Sequence, residues 1–302
     1  MSTIRPSAQA SVLIAAYKAG RFMPAALAAV SAQTLRGWEL IVVEDGSHDQ
    51  TEAVVRAFAA SHPEKRIVYD NLGANRGVSA ARNRLLELAQ GEILAFLDAD
   101  DLWQPHHLAG LQACLTAGHR LACSAIEIWD ADRDRLIRTY APTTAQLAHP
   151  RRALFEESII QTSSCVALPR AVAVEIGRFD ETLRVGEDRD YWFRALAAGG
   201  TLGCTGETTC RYTKHSGSTM ARTMLVAEQV VRFYEKHATV TTVPRGLRRA
   251  KQADALLMYA RLLRSTQPRE SMQLLRRAWR AAPWRPSIVL QYACSAARAV
   301  RH

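Results

Sequence analysis

The chain reads as an α/β protein on a mostly parallel sheet, extended at its C-terminal end by helices. Three observations predict this. Uncharged, β-branched runs alternate with stretches of helical period through residues 11–97, the pattern of crossover units in a parallel sheet. Two of those runs end in clustered carboxylates, at the strand ends where an open sheet takes its ligand. Charge is also uneven: residues 1–220 hold 23 Lys/Arg against 25 Asp/Glu, and residues 221–302 hold 16 against 4. A near-neutral domain over 1–220 is therefore expected to carry a basic helical extension over 221–302. With 302 residues, 48% hydrophobic and 23% charged, the chain can bury a core, and wholesale disorder is excluded.

Residues 11–16 (SVLIAA) form the first expected strand, buried on both faces, and helical spacing follows at Leu27, Val30 and Ala32. A second strand at 39–43 (ELIVV) stops at Glu44, Asp45, Gly46 and Ser47, where Ser47 or Asp49 can cap a helix over 51–61. A strand at 66–70, a Gly/Asn loop at 71–77, a helix over 78–89 and a strand at 92–97 complete the first half. Next come a helix over 105–117, a strand over 120–129, a hairpin turn within 130–138 and a loop over 142–150. A strand over 160–168, a short helix over 169–176 and an amphipathic helix over 186–198 end the domain. The tail is expected to hold helices over 225–237, 245–263, 269–282 and 286–300.

Six scattered cysteines without a Cys-x-x-Cys pair read as reduced thiols of a cytoplasmic protein. Residues 1–17 lack a basic start followed by a long apolar run, so no secretion signal is expected. No uncharged apolar stretch is long enough to span a bilayer, and the protein is expected to be soluble or peripherally bound. His48, His62, His106, His107 and His119 fall outside any ligand spacing and are expected at the surface; Trp103, Trp192 and Phe193 are expected to pack in the core or along an acceptor wall.

The acids define the expected site. Glu44 and Asp45 end the second strand, and Asp98, Asp100 and Asp101 end the fourth. Carboxylates gathered beyond one sheet edge repel unless a cation or polar ligand lies among them, which points to a divalent metal holding phosphate. Glu187, Asp188 and Asp190 start a helix whose dipole keeps them ionised, so one of them can serve as a base.

Six segments, in order over roughly residues 10–220, resemble glycosyltransferase family 2: 11–17 (SVLIAAY), 31–34 (SAQT), 39–47 (ELIVVEDGS), 75–83 (NRGVSAARN), 96–103 (FLDADDLW) and 186–192 (GEDRDYW). The resemblance implies a Rossmann-like sheet of the glycosyltransferase-A fold and an inverting, metal-dependent transfer of sugar from a nucleotide donor. It places Ala15 and Tyr17 along the base pocket, Asp45 at the nucleobase, Arg82 facing the diphosphate and Asp98 near the ribose. It places Asp100 on Mn2+ or Mg2+, with His215 as a further metal or phosphate contact, and makes Asp188 the general base. Where the family commonly has two aspartates, this chain has Glu44 and Asp45. The implied partners are a nucleoside-diphosphate sugar, a UDP-sugar first, and a glycan or lipid-linked acceptor of a bacterial envelope.

Two alternatives stand beside this reading. A nucleotidyltransferase would have a Gly-rich basic loop near the first strand, where residues 16–20 (AYKAG) supply one glycine and one lysine. A catalytically silent nucleotide-binding or scaffold protein would use the tail for partners. The tail itself reads either as a packing appendage with a solvated arginine face or as a peripheral contact with anionic lipid at the inner face of a membrane. Nucleic acid is not an expected partner, because no aromatic and basic platform is present.

Overall fold

The first uncharged run becomes β1 (Ala10–Ala16), and the computed structural model, which describes residues 8–197, 199–215 and 223–284, buries all but one of its side chains. α1 (Met23–Ser31), with a proline in its first turn, crosses to β2 (Trp38–Glu44), which is buried throughout. α2 (Thr51–Ser61) has Gln50, neither Ser47 nor Asp49, at its N-cap position; Asp49 stands one residue earlier, its Oδ1 accepting from the Thr51 N–H at 3.0 Å and the Thr51 hydroxyl at 2.6 Å. β3 (Ile67–Asn71), α3 (Val78–Leu88) and β4 (Ile93–Phe96) follow as expected. β3, β2, β1 and β4 lie side by side in that order, all parallel.

The second half is less regular. β5 (Leu102–Trp103) and α4 (His107–Thr116) lead to a hairpin of β6 (Leu121–Asp130) and β7 (Arg135–Tyr140). The stretch 142–150, expected as a loop, is largely helical: α5 (Thr144–Ala148) opens with a reciprocal Thr143–Gln146 capping box, and α6 (Pro150–Glu156) begins on a proline. The strand expected from residue 160 starts only at β8 (Val166–Pro169), because Ser163–Cys165 form a 3-10 turn. α7 (Arg170–Ile176) and α8 (Glu187–Ala195) precede β9 (Leu202–Lys214), a 13-residue strand absent from the expectation.

The sheet order is β3-β2-β1-β4-β8-β6-β9-β5, with β7 beside β6. β8 runs antiparallel to both β4 and β6, so β6, and with it the parallel β9, point the same way as β4. The carboxyl ends of β1, β2, β4, β6 and β9 consequently share one edge. Behind it lies an aromatic core in which Phe179 stacks on Tyr191 at 3.8 Å and Phe96 meets the edge of Trp192 at 5.3 Å. Burying each such ring contributes roughly 1.5–3 kcal/mol.

The chain divides into compact units Met1–Ser216 and Gly217–His302. In the second, α9 (Thr223–Lys236), α10 (Arg245–Leu263) and α11 (Pro268–Ala281) pack through Ala260, Leu263, Leu275 and Ala278. The Ser271 hydroxyl donates to the Ala260 carbonyl at 2.7 Å, and Arg277 pairs with Glu235. The helix expected over 286–300 lies outside the described residues.

Candidate active site

The three acids after β4 do three different things. Asp101 is buried and accepts from the Thr162 hydroxyl at 2.8 Å, the Ser164 hydroxyl at 2.5 Å and the Thr213 N–H at 2.8 Å. It ties the loop to the 3-10 turn and to β9, and burial raises its pKa well above the ordinary range. Asp98 is fixed through its N–H to Ser164 Oγ at 2.9 Å and through its Oδ1, which accepts from Arg82 at 2.9 Å. Asp100 keeps 31% of its side chain open, with Oδ2 at 3.1 Å from His215 Nε2. Burial pushes the Asp100 carboxyl up, Asp98 adds to this and His215 opposes it.

Arg82 sits on α3 and is only 4% exposed. One side of its guanidinium donates to Asp98, and the other donates to Glu187 Oε1 at 2.6 Å. The arginine expected to face a diphosphate is thus spanned between two of the protein's own carboxylates. Glu187 begins α8, where burial raises its pKa to about 7 while Arg82 pulls it back. Asp188, the next residue, is half-buried; its Oδ1 accepts from the Arg189 N–H at 2.6 Å. Burial raises its pKa too, against the Arg82 charge. A carboxylate raised in this way is a stronger proton acceptor than a free one.

At the ends of β1 and β2, Ala15 is half-buried and Tyr17 is 48% exposed. Asp45 is buried, and its two oxygens accept from the N–H groups of Arg76 at 2.7 Å and Gly77 at 2.8 Å, which fixes the loop that opens α3. Gly46 is required beside it: φ is +70°, and a Cβ there would lie 2.3 Å from the Ala74 carbonyl carbon. Glu44, the departure from the family pattern, is buried and accepts from the Tyr69 hydroxyl at 2.5 Å and from Ser47.

Direct contacts therefore join Asp98, Arg82 and Glu187 in one chain and Asp100 and His215 in another. Ala15, Tyr17 and Asp45 share the same sheet edge. Among the described residues, no group of three or more His, Cys, Asp or Glu side chains converges as a metal cage. What the protein offers is one carboxylate and one imidazole in contact, a donor set that suits an ion whose remaining ligands are phosphate oxygens and water.

Thr162, Ser164 and Thr213, which fix the acidic loop, were not expected from sequence; the small polar run 161–164 (QTSS) after two isoleucines is a signal for the first two alone. His107, expected at the surface, is fully buried, stacks on Trp103 at 4.5 Å and shares a 2.8 Å hydrogen bond with Thr209 Oγ1. Burial drives its pKa down to about 3.

Sheet and edge define an α/β fold with its candidate site at the carboxyl ends of the strands, and known proteins share it. The model of glycosyl transferase family 2 matches residues 11–177, more than half of the chain, and the chain belongs to that family. It is 30% identical over 215 residues to the succinoglycan biosynthesis protein ExoO of Rhizobium meliloti, covering 67% of this chain and 59% of that one. An uncharacterised glycosyltransferase of Nostoc sp. is 39% identical over 98 residues, 32% of this chain and 30% of its own length. The chain thus spans less than two thirds of these relatives. The structure of S. aureus TarS 1–349 in complex with UDP-GlcNAc superposes with a TM-score of 0.68 at 18% identity, covering 91% of this chain and 82% of that one. The fold is of the glycosyltransferase-A type.

Proposed function

We propose that the protein is an inverting, metal-dependent glycosyltransferase that moves a sugar from a nucleoside diphosphate to an acceptor hydroxyl in bacterial envelope glycan synthesis. The observation that carries this reading is the Asp100–His215 contact at the carboxyl edge, on the same loop as Asp98, which Arg82 joins to the start of the helix bearing Asp188. The relatives support the setting: ExoO is named for succinoglycan biosynthesis, the TarS structure holds UDP-GlcNAc, and mannosyltransferase PcManGT of Pyrobaculum calidifontis was solved with GDP-Man and Mn2+. A UDP-sugar is the first donor to test.

Asp100 and His215 would hold Mn2+ or Mg2+, which supplies positive charge to a departing diphosphate. Tyr17 and Ala15 line the base, Asp45 meets it, and Asp98 lies by the ribose. Asp188 takes the proton of the acceptor hydroxyl as that oxygen attacks the anomeric carbon from the face opposite the diphosphate. The carbon–oxygen bond to the diphosphate breaks with its electrons, and the anomeric centre inverts once. Arg82 acts through its carboxylates, holding α8 in register with the acidic loop.

The tail supports a peripheral location at a membrane surface. No described helix is long and apolar enough to cross a membrane. Trp279 and Trp284 are 49% and 55% exposed among the exposed arginines 276, 277 and 280, a composition suited to anionic headgroups at the cytoplasmic face.

Calorimetric titration with UDP, GDP and dTDP, each with and without Mn2+, tests the donor site. Metal-dependent binding of one nucleotide, lost in Asp100→Ala, is expected. Absence of binding by all three moves the weight to a scaffold role.

A further inference from the structure

Five of the six cysteines lie in the described residues, and all five are free thiols. Two of them face each other across the sheet: Cys123 on β6 and Cys204 on β9 are directly paired in register. The pairing then breaks. β6 advances from Cys123 to Ala125 while β9 advances from Cys204 to Thr208, so an exposed bulge with Gly206 at φ +73° follows Cys204 immediately. Cys123 is 1% exposed, whereas Cys204 is partly open at the mouth of that bulge.

We infer that Cys123 and Cys204 form an oxidisable dithiol, a peroxide-sensitive modification site at the β6–β9 junction. Adjacent paired positions in a sheet lie within the Cα separation a disulfide spans, about 4.4–6.8 Å. The bulge supplies the local freedom to close the remaining gap between the sulfurs. The pair also divides the roles. The Cys123 thiol donates toward the Cys204 sulfur and holds the Cys204 pKa down to about 6, while Cys123 itself is pushed well above the ordinary range. Cys204 is the accessible thiolate, and Cys123 is the buried resolving thiol.

The chemistry balances with hydrogen peroxide as oxidant. The Cys204 thiolate attacks one peroxide oxygen, the O–O bond breaks, and Cys204 becomes a sulfenic acid as hydroxide leaves. The Cys123 sulfur then attacks the Cys204 sulfur, the S–O bond breaks, and the Cys123 proton leaves with the hydroxyl as water. Two electrons pass from the thiol pair to one peroxide. The remaining thiols are placed otherwise. Cys165 donates to the Thr162 carbonyl at 3.2 Å and Cys210 is buried, while Cys114 on α4 approaches Gly203, the neighbour of Cys204.

The full chain is reduced, treated with a small molar excess of hydrogen peroxide, alkylated and digested with trypsin. The expected product links the peptides containing Cys123 and Cys204, accounts for most of the Cys204 signal, and is released by dithiothreitol. Because Cys204 and Cys210 share the tryptic peptide 195–211, tandem fragmentation assigns the sulfur. In Cys123→Ala, dimedone should label Cys204 as the stranded sulfenic acid; in Cys204→Ala, Cys123 should stay reduced. The wild-type map decides the matter even if Cys123→Ala does not fold. A reduced Cys204, its over-oxidation without a bridge, or a bridge to Cys114 overturns the inference.

Discussion

Arg82 has two carboxylate partners in a nearly closed environment, so its removal strands both. Arg82→Ala should destabilise the fold by about 3–5 kcal/mol, the usual cost of leaving a buried charge unpaired, as measured by urea denaturation. A loss below about 1 kcal/mol would mean that solvent reaches the pair. Glu187 adds a pH signature. Its pKa is raised from 4.5 to about 7, so in that window the folded protein keeps a proton that the unfolded chain has released. Stability from this group is complete below pH 4.5 and is lost as pH rises through about 7, at up to about 1.4 kcal/mol per unit. The wild type should therefore lose ground to Glu187→Gln between those pH values and run parallel to it above; parallel curves throughout would sink the assignment. Asp188→Asn should lower sugar transfer by about 10²–10⁴-fold while nucleotide affinity stays unchanged, separating a proton acceptor from a binding group. Asp98, Asp100 and Asp188 were legible in the sequence because acids after an apolar run or at a helix start mark positions. Arg82's bridge was not, because its partner Glu187 lies 105 residues away and only the folded sheet brings the two together.

Among the elements, β1, β2, β4 and α3 were legible since apolar runs there end at acids or glycines. β9 was not. Its sequence, LGCTGETTCRYTK, has neither alternation nor an apolar run, and it is a strand because β6 lies along one side and β5 along the other. In 142–150 two prolines read as breakers, although Thr143 and Gln146 spelled a helix start. The turn after β2 offers the sharpest test of local geometry. Gly46→Ala forces a side chain into the Ala74 backbone at a φ of +70° and should cost about 2 kcal/mol or more. Differential scanning calorimetry should show the drop, with nucleotide binding weakened in step because Asp45 and the 71–77 loop move together. An unchanged melting temperature would refute the close approach.

For the chain in full, the uneven charge has a measurable correlate. The protein should cosediment with vesicles containing anionic phospholipid and not with neutral ones, and added salt should release it. Replacing Trp279 and Trp284 by alanine should weaken binding at fixed salt. Equal sedimentation with both vesicle types would leave α11 as packing alone. The sheet order carries a consequence for synthesis. β9 fills the place between β6 and β5, although it is the last of the described strands to leave the ribosome. Until it emerges, β5 has no neighbour, the long flank of β6 stays open to other chains, and His215 has not yet been made. The nascent domain must hold an unfinished sheet, and the stretch after α8 is where translation speed or a chaperone would decide between folding and aggregation.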